Sequence, residues 1–127
     1  KEYGLDEYII RPGQIGIDEL VAFYNLATIY VQSSFYEGFG LPVLQALACG
    51  TPVISSDRSS LPEVGGQAAI YFDPTNLKQF TAIAKELIVS KLLQSKLSRL
   101  GLRQAAKFSW KKTAEQTKLI YLKAMEK

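Results

Sequence analysis

Residues 36–56 read YEGFGLPVLQALACGTPVISS, and this stretch carries the strongest structural signals of the chain. Two glycines precede Pro42, a residue type that is favoured in the first turn of a helix. The apolar run that follows ends at Gly50, which is typical of a helix C-terminus. Val53-Ile54-Ser55 then predicts a strand. This stretch therefore predicts a glycine loop, a helix and a strand in succession.

The segments on either side extend this alternation of strands and helices. We predict strands at residues 7–11, 28–32, 53–55 and 69–72, of which those at 7–11 and 28–32 are expected to be buried. Helices are predicted at residues 17–26 and from Pro42 through Cys49, followed by a loop at residues 56–68. Two or three further helices are predicted from Asn76 onward. Parallel pairing is the natural result of such alternation. The expected fold is a partial Rossmann-like, doubly wound parallel α/β sheet of about four strands with C-terminal helices.

Length and composition indicate one ordinary globular domain that covers residues 1–127. The chain is 47% hydrophobic and 21% charged, with neither a long apolar run nor a signal-like N-terminus. It has no histidine, and its single cysteine, Cys49, fits a small, reduced, buried residue. Because the sequence begins at Lys1 rather than at a methionine, we expect it to be a piece of a longer protein.

The formal charge is +3, and much of the positive excess lies in the last third of the chain. Lysines and arginines spaced among apolar residues indicate a solvated helical face, and a peripheral contact with anionic lipid is the second interpretation. We identify no signature of nucleic-acid binding. We expect a cytoplasmic protein, with the inner face of the membrane as its alternative location.

The glycine loop is the candidate binding site. A helix that begins near Pro42 directs unpaired N–H groups and a positive dipole end toward whatever lies before it, which suits an anion. Glu37 beside the loop would repel a phosphate but can accept hydrogen bonds from sugar hydroxyls. Together these features suggest a sugar phosphate. The loop taken alone is equally consistent with a tight turn.

The longer pattern from Glu37 to Ser56 resembles the signature of the group 1, or family 4, glycosyltransferases, which have two facing Rossmann-like domains. The resemblance extends along the chain. Leu61-Pro62-Glu63-Val64 is similar to the Pro-Glu-Val segment of that family, and residues 68–74 resemble its strand that ends in Asp-Pro. It covers residues 9–74 closely and the helical tail loosely, so residues 1–127 are expected to form the C-terminal part of a nucleotide-sugar-binding domain.

The resemblance implies the site residues. Glu37 matches the glutamate that contacts hydroxyls of the transferred sugar, and we expect it to be catalytic. The second glutamate of the family, which binds the ribose, is replaced here by Gln45, and we expect nucleotide recognition weakened by about 1 kcal/mol. The remaining donor contacts are expected from the backbone around Gly38, Phe39, Gly40 and Leu41, and from the turn that contains Gly13 and Ile15.

Several prominent side chains have simpler structural interpretations. We expect the side chains of Phe39 and Leu41 to pack into the core, and Trp110 to anchor the C-terminal helices. Asp57 and Arg58 are expected to be surface-loop charges, and the acidic residues are too scattered to predict a metal site.

The expected function is that of a retaining glycosyltransferase that binds a UDP- or GDP-hexose, with mannose as a candidate sugar. We expect no cofactor, and we expect the glycan or lipid-linked acceptor to be bound by an N-terminal domain outside this sequence. The isolated piece should be inactive. Two alternatives stay open: a non-catalytic module that binds a nucleotide sugar or a partner, marked by Gln45, and a generic α/β nucleotide-binding domain.

Overall fold

The computed structural model describes residues 3–126. The helices are α1 (Ile17–Leu26), α2 (Leu41–Ala48), α3 (Leu61–Gly65), α4 (Leu77–Val89), α5 (Lys91–Ala105) and α6 (Trp110–Met125), and the strands are β1 (Tyr30–Gln32), β2 (Val53–Ser56) and β3 (Ala69–Phe72). All three strands are parallel, in the order β1-β2-β3. The α/β class and the parallel sheet are confirmed.

Strand β2 is buried on both faces because helices cover each side of the sheet. Val53 points into a cluster with side chains of α2 and α3, including Leu47 and Leu61. Ile54 points to the opposite face and packs with Leu87 of α4 and other residues of α4 and α5. Alternate residues of this strand thus enter two separate cores, which explains why the adjacent residues Val53 and Ile54 are both apolar.

The predicted strand at residues 7–11 is wrong. Asp6–Tyr8 forms a turn of 3-10 helix instead, and the side chain of Ile10 is 83% exposed. An extended segment becomes a strand only where a neighbouring strand supplies hydrogen bonds, and no strand within residues 3–126 pairs with it. The sheet in the described part of the chain therefore has three strands rather than the expected four.

Three further expectations are corrected by the structure. Residues 56–68 are not all loop, because α3 and a 3-10 turn at Gly66–Ala68 occupy their second half. The predicted strand at 28–32 begins at Tyr30 and is only partly buried, because Val31 faces away from the core at the edge of the sheet. Cys49 is partly rather than fully buried.

Helix α6 differs from the other long helices because it buries none of its residues. Trp110 at its start is 77% exposed, so this side chain does not anchor the C-terminal helices as expected. Helix α5, in contrast, packs closely on α2. A Cβ atom placed on Gly101 would lie 3.1 Å from the side chain of Leu47.

Candidate functional site

The candidate site lies at the carboxyl edge of the sheet, where ligands bind in open parallel α/β folds. Glu37 follows β1 in the loop that leads to α2, and residues 57–60 follow β2. Because β1 and β2 are parallel neighbours, these two loops emerge on the same edge. The fold thus brings the glycine loop beside a second loop that is twenty residues further along the chain.

Backbone N–H groups of the glycine loop have no hydrogen-bond partner among the residues that the structure describes. Gly40 has a φ of 96° and accepts at its carbonyl from the N–H groups of Val43 and Leu44, which begins helix α2. No acceptor within residues 3–126 is bonded to the N–H groups of residues 38–41. Four free donors next to the positive end of a helix form a site that suits an anion.

The carboxylate of Glu37 is held by two side chains through one of its oxygens. Its Oε1 accepts from Gln32 Nε2 at 2.9 Å and from Ser34 Oγ at 2.8 Å. Gln32 also donates to Ser34 Oγ at 2.6 Å. Oε2 receives no hydrogen bond from any residue that the structure describes. Glu37 therefore has one oxygen fixed by the protein and one available to a ligand.

Tyr30 joins this group of side chains through a hydrogen bond to Gln32. Burial, with smaller effects of Tyr24 and Glu37, raises the pKa of the Tyr30 hydroxyl to about 12. The hydroxyl is therefore protonated at neutral pH and donates to Oε1 of Gln32. The rings of Tyr30 and Tyr24 meet edge to face with centroids 5.5 Å apart, so the tyrosine belongs to the packed interior.

Two serines after β2 hold the backbone of the glycine loop. Ser59 Oγ donates to the Glu37 carbonyl at 2.7 Å, and Ser60 Oγ lies within hydrogen-bond distance of the carbonyls of Glu37 and Phe39. Ser60 is the N-cap residue of α3, yet its hydroxyl makes no cap hydrogen bond. Ser59 adopts a φ of 55°, which is uncommon for serine. Both serine hydroxyls thus donate to backbone carbonyls of the neighbouring loop.

Replacing Ser60 with alanine is expected to lower the free energy of unfolding by about 1 kcal/mol and to weaken ligand binding at the glycine loop. The reason is that two loop carbonyls lose their shared donor and the loop becomes freer to move. Denaturant unfolding and nucleotide titration measure the two effects. Ser95→Ala on the exposed face of α5 is the matched control. If the two variants had the same free energy of unfolding and the same nucleotide affinity, the Ser60 hydroxyl would not stabilise the glycine loop.

Gln45 lies on α2 and is hydrogen-bonded to α1. The Tyr24 hydroxyl donates to Gln45 Oε1 at 3.3 Å. Burial, followed by a smaller electrostatic effect of Cys49, raises the pKa of Tyr24, so this hydroxyl remains a donor. The carbonyl oxygen of Gln45 is therefore engaged by the protein, and its amide nitrogen remains available to a ligand.

Phe39 and Leu41 do not pack into the core as expected. Their side chains are 43% and 44% exposed, and they line a groove of about 270 Å³ together with Gln45 and Trp110. The Phe39 ring meets the Phe108 ring edge to face at 5.9 Å between centroids. The two side chains therefore form an apolar wall next to the glycine loop.

The other predicted positions are separate from this group. Gly13 has a φ of 75°, as a turn glycine should, but no hydrogen bond or ring contact within the described chain joins Gly13 or Ile15 to the glycine loop. Asp57 and Arg58 are exposed. Arg58 forms ion pairs of 3.1 Å with Asp57 and Asp73, so its charge is already compensated.

No group of three or more potential metal ligands occurs within residues 3–126. In the same part of the chain, no helix combines the length and the apolar character needed to cross a bilayer.

The sequence matches a known protein family over most of its length. The family model "Glycosyl transferases group 1" matches residues 1–107. The chain belongs to this family. The resemblance inferred from residues 36–56 is thereby confirmed.

Individual relatives agree with the assignment to the group 1 glycosyl transferases. The chain is 36% identical to the serotype-specific mannosyltransferase WbdA of Escherichia coli, over 90% of this chain and 14% of that protein. It is 34% identical to the MMP alpha-(1->4)-mannosyltransferase of Mycolicibacterium hassiacum, over 98% of this chain and 31% of that protein. The chain thus spans less than a third of either relative.

A solved structure agrees as well. Sucrose-phosphate synthase from Thermosynechococcus elongatus superposes with a TM-score of 0.88 and 26% identity, over 98% of this chain and 32% of that one. The structural match therefore extends over nearly the whole chain, beyond the residues 1–107 that the family model matches.

The sequence patterns do not identify the side chains that surround Glu37. They predict Gln32 only as the last residue of a strand and indicate no role for Ser34. A usable signal existed, because polar residues at the carboxyl end of a buried parallel strand lie at the binding edge of the sheet. The roles of Ser59 and Ser60 had no comparable local signal.

Proposed function

We propose that residues 1–127 form the donor-binding part of a retaining glycosyltransferase that uses a nucleotide-diphosphate sugar. The observation that supports this most strongly is the pairing of Glu37, with one free carboxylate oxygen, and the unpaired N–H groups of residues 38–41. The carboxylate suits the hydroxyls of a sugar, and the N–H groups suit the charges of a diphosphate. The sugar and the diphosphate of such a donor thus each have a matching partner.

In the proposed reaction, the bond between the anomeric carbon and the phosphate oxygen breaks, and its electron pair stays on the departing nucleoside diphosphate. The acceptor hydroxyl oxygen bonds to the same face of that carbon, and its proton passes to the phosphate oxygen of the departing nucleoside diphosphate. Glu37 holds the transferred sugar through Oε2, while the loop N–H groups and the α2 dipole stabilise the charge on the leaving group. Gln45 donates its amide to the ribose, and the Gly13 to Ile15 turn borders the base.

We propose a UDP- or GDP-hexose as the donor, with mannose as the first sugar to test. The names of WbdA and of the M. hassiacum relative, both mannosyltransferases, support this choice. Another relative is named O-antigen chain mannosyltransferase B, which supports a polysaccharide or lipopolysaccharide product. The acceptor is a glycan or a lipid-linked glycan at the cytoplasmic face of the membrane. It is held by residues outside this chain, so the isolated chain is inactive.

The test is donor turnover by the full-length protein. Sugar transfer and donor hydrolysis are measured across UDP- and GDP-hexoses, and UDP and GDP affinities are measured by calorimetry. We expect wild type to turn over one donor. Gln45→Glu should bind the matching nucleotide about fivefold more tightly, because a carboxylate accepts stronger hydrogen bonds from ribose while still accepting from Tyr24.

Gln116→Glu on the exposed surface of α6 controls for the added charge and should leave the nucleotide affinity unchanged. If neither wild type nor Gln45→Glu binds or turns over any donor, the catalytic proposal is wrong. A non-catalytic module, which the replacement of the second glutamate by Gln45 favours, would then be the better account.

A further inference from the structure

We propose that Gln32 is a positioning residue that fixes the Glu37 carboxylate so that only Oε2 faces the transferred sugar. This inference rests on the proposed function, because it assigns Gln32 a purpose within the same site. Gln32 is the last residue of β1 and is five residues before Glu37. It touches the carboxylate rather than the reacting atoms.

The orientation of the Gln32 amide is determined by the Glu37 carboxylate. A carboxylate only accepts hydrogen bonds, so the amide nitrogen of Gln32 points toward Glu37 Oε1 and Ser34 Oγ. The reverse orientation would place the amide oxygen against the carboxylate oxygen, with no proton between the two acceptors. The Tyr30 hydroxyl donates to Gln32 Oε1 and so satisfies the other end of the amide.

Every donor proton in this group has an acceptor, and Glu37 Oε1 accepts two of these protons. One amide proton of Gln32 goes to Ser34 Oγ and the other to Glu37 Oε1, and the Ser34 hydroxyl proton goes to Glu37 Oε1 as well. No proton is used twice and none is left over. The arrangement is therefore fully satisfied in one orientation, and such networks hold their members rigidly.

The group is attached to the sheet. Tyr30 packs against the core cluster that includes Tyr24 and Val53, and within the sheet Tyr30 pairs with Val53 of β2. Glu37 lies in a glycine-containing loop, where the backbone alone would allow several carboxylate positions. Because Gln32 lies on the strand, its hydrogen bond to Oε1 restricts the Glu37 carboxylate to one position. A catalytic acceptor must be held closely in place, because small displacements cost large factors in rate.

The test uses Gln32→Leu, Gln32→Asn and Gln32→Glu in the full-length protein with the donor that wild type turns over. Gln32→Leu removes the two amide donors but keeps the size of the side chain. We expect kcat to fall about 10- to 100-fold while the affinity for the nucleotide alone changes less than about threefold. Gln32→Asn is too short to reach both partners and should not restore kcat.

Gln32→Glu gives a readout that a merely structural role would not produce. The introduced carboxyl group faces Glu37, whose charge raises its pKa, so on acidification it gains a proton that it can donate to Glu37 Oε1. Tyr30, the other titratable group in contact, stays protonated throughout. The kcat of Gln32→Glu relative to wild type should therefore rise as the pH is lowered from 8 to 5.5, whereas that of Gln32→Leu should not.

The outcomes separate the two proposals. If wild type turns over a donor and Gln32→Leu has the same kcat, the positioning role is overturned while the proposed function stands. Equal losses of kcat and nucleotide affinity, accompanied by a lower melting temperature, would also overturn it in favour of a structural role. If wild type turns over no donor, the proposed function fails and the role of Gln32 fails with it.

Discussion

Substituting Glu37 by glutamine is expected to lower kcat/KM for the donor by about 100-fold. The structure supplies the reason. Oε1 of the residue is held by Gln32 and Ser34, which both donate, so the amide oxygen of the new residue will take that place. Its NH2 group then occupies the position of Oε2. The atom offered to the sugar changes from a charged acceptor to a donor, and both charge and hydrogen-bond polarity are lost.

The measurement is steady-state transfer with the full-length protein and its donor, together with thermal unfolding. The matched control is Glu86→Gln, the same chemical change on the exposed face of α4, which should keep wild-type kinetics. The melting temperature of the Glu37 variant should stay close to wild type, because the two donors retain an acceptor. A wild-type kcat/KM for Glu37→Gln would show that Glu37 does not take part in donor binding or catalysis.

Replacing Gly40 with alanine is expected to lower the free energy of unfolding by about 2 kcal/mol and to weaken donor binding together with stability. At its φ of 96° a side chain is strained, and a Cβ atom would lie 2.8 Å from Cδ2 of Leu61, which is fully buried. Either the backbone or the core must move. Because Gly40 also starts α2, the free N–H groups of the loop would move with it.

Gly38→Ala is the control for this second prediction. An added Cβ at Gly38 meets no atom within 4 Å, so stability should change little. The same open space is where the proposed donor approaches, and we expect the Gly38 variant to lose donor affinity without losing stability. Urea unfolding and nucleotide titration distinguish the two variants. Equal stability of both would show that the close contact between residues 40 and 61 is unimportant.

The accurate part of the sequence prediction rests on local signals. The helix at residues 17–26 and the strand at residues 69–72 have the predicted bounds, because apolar spacing, acidic residues at the helix start and a following Asp-Pro turn all agree. The glycine loop and α2 follow from Gly40, Pro42 and Gly50 in the same way. These residues act on their own neighbours, so the sequence order is sufficient to interpret them.

The errors concern properties that depend on distant partners. Residues 7–11 have the composition of a strand, but pairing decides whether they become one. Trp110 is a large aromatic residue of the kind that often anchors helices, yet the described part of the chain leaves most of its surface exposed.

The candidate site was predictable in part for the same reason. Glu37 and Gln45 were singled out by their pattern, and their roles stay predictions. The contacts of Ser60 with a loop 21 and 23 residues away, and the orientation of Gln32, depend on the fold. Sequence spacing gives neither.

Helix α6 has a consequence for the cooperativity of the chain. Within residues 3–126, this helix of 16 residues has no buried side chain and is supported by its backbone, the Ser109 cap and the groove contacts at its first turn; isolated helices of this length are marginal in water. Its opening free energy is therefore expected to be far below that of β2, which approaches the global value. Amide hydrogens after residue 110 should exchange with solvent long before those of the sheet, so that one covalent chain contains two very different degrees of protection.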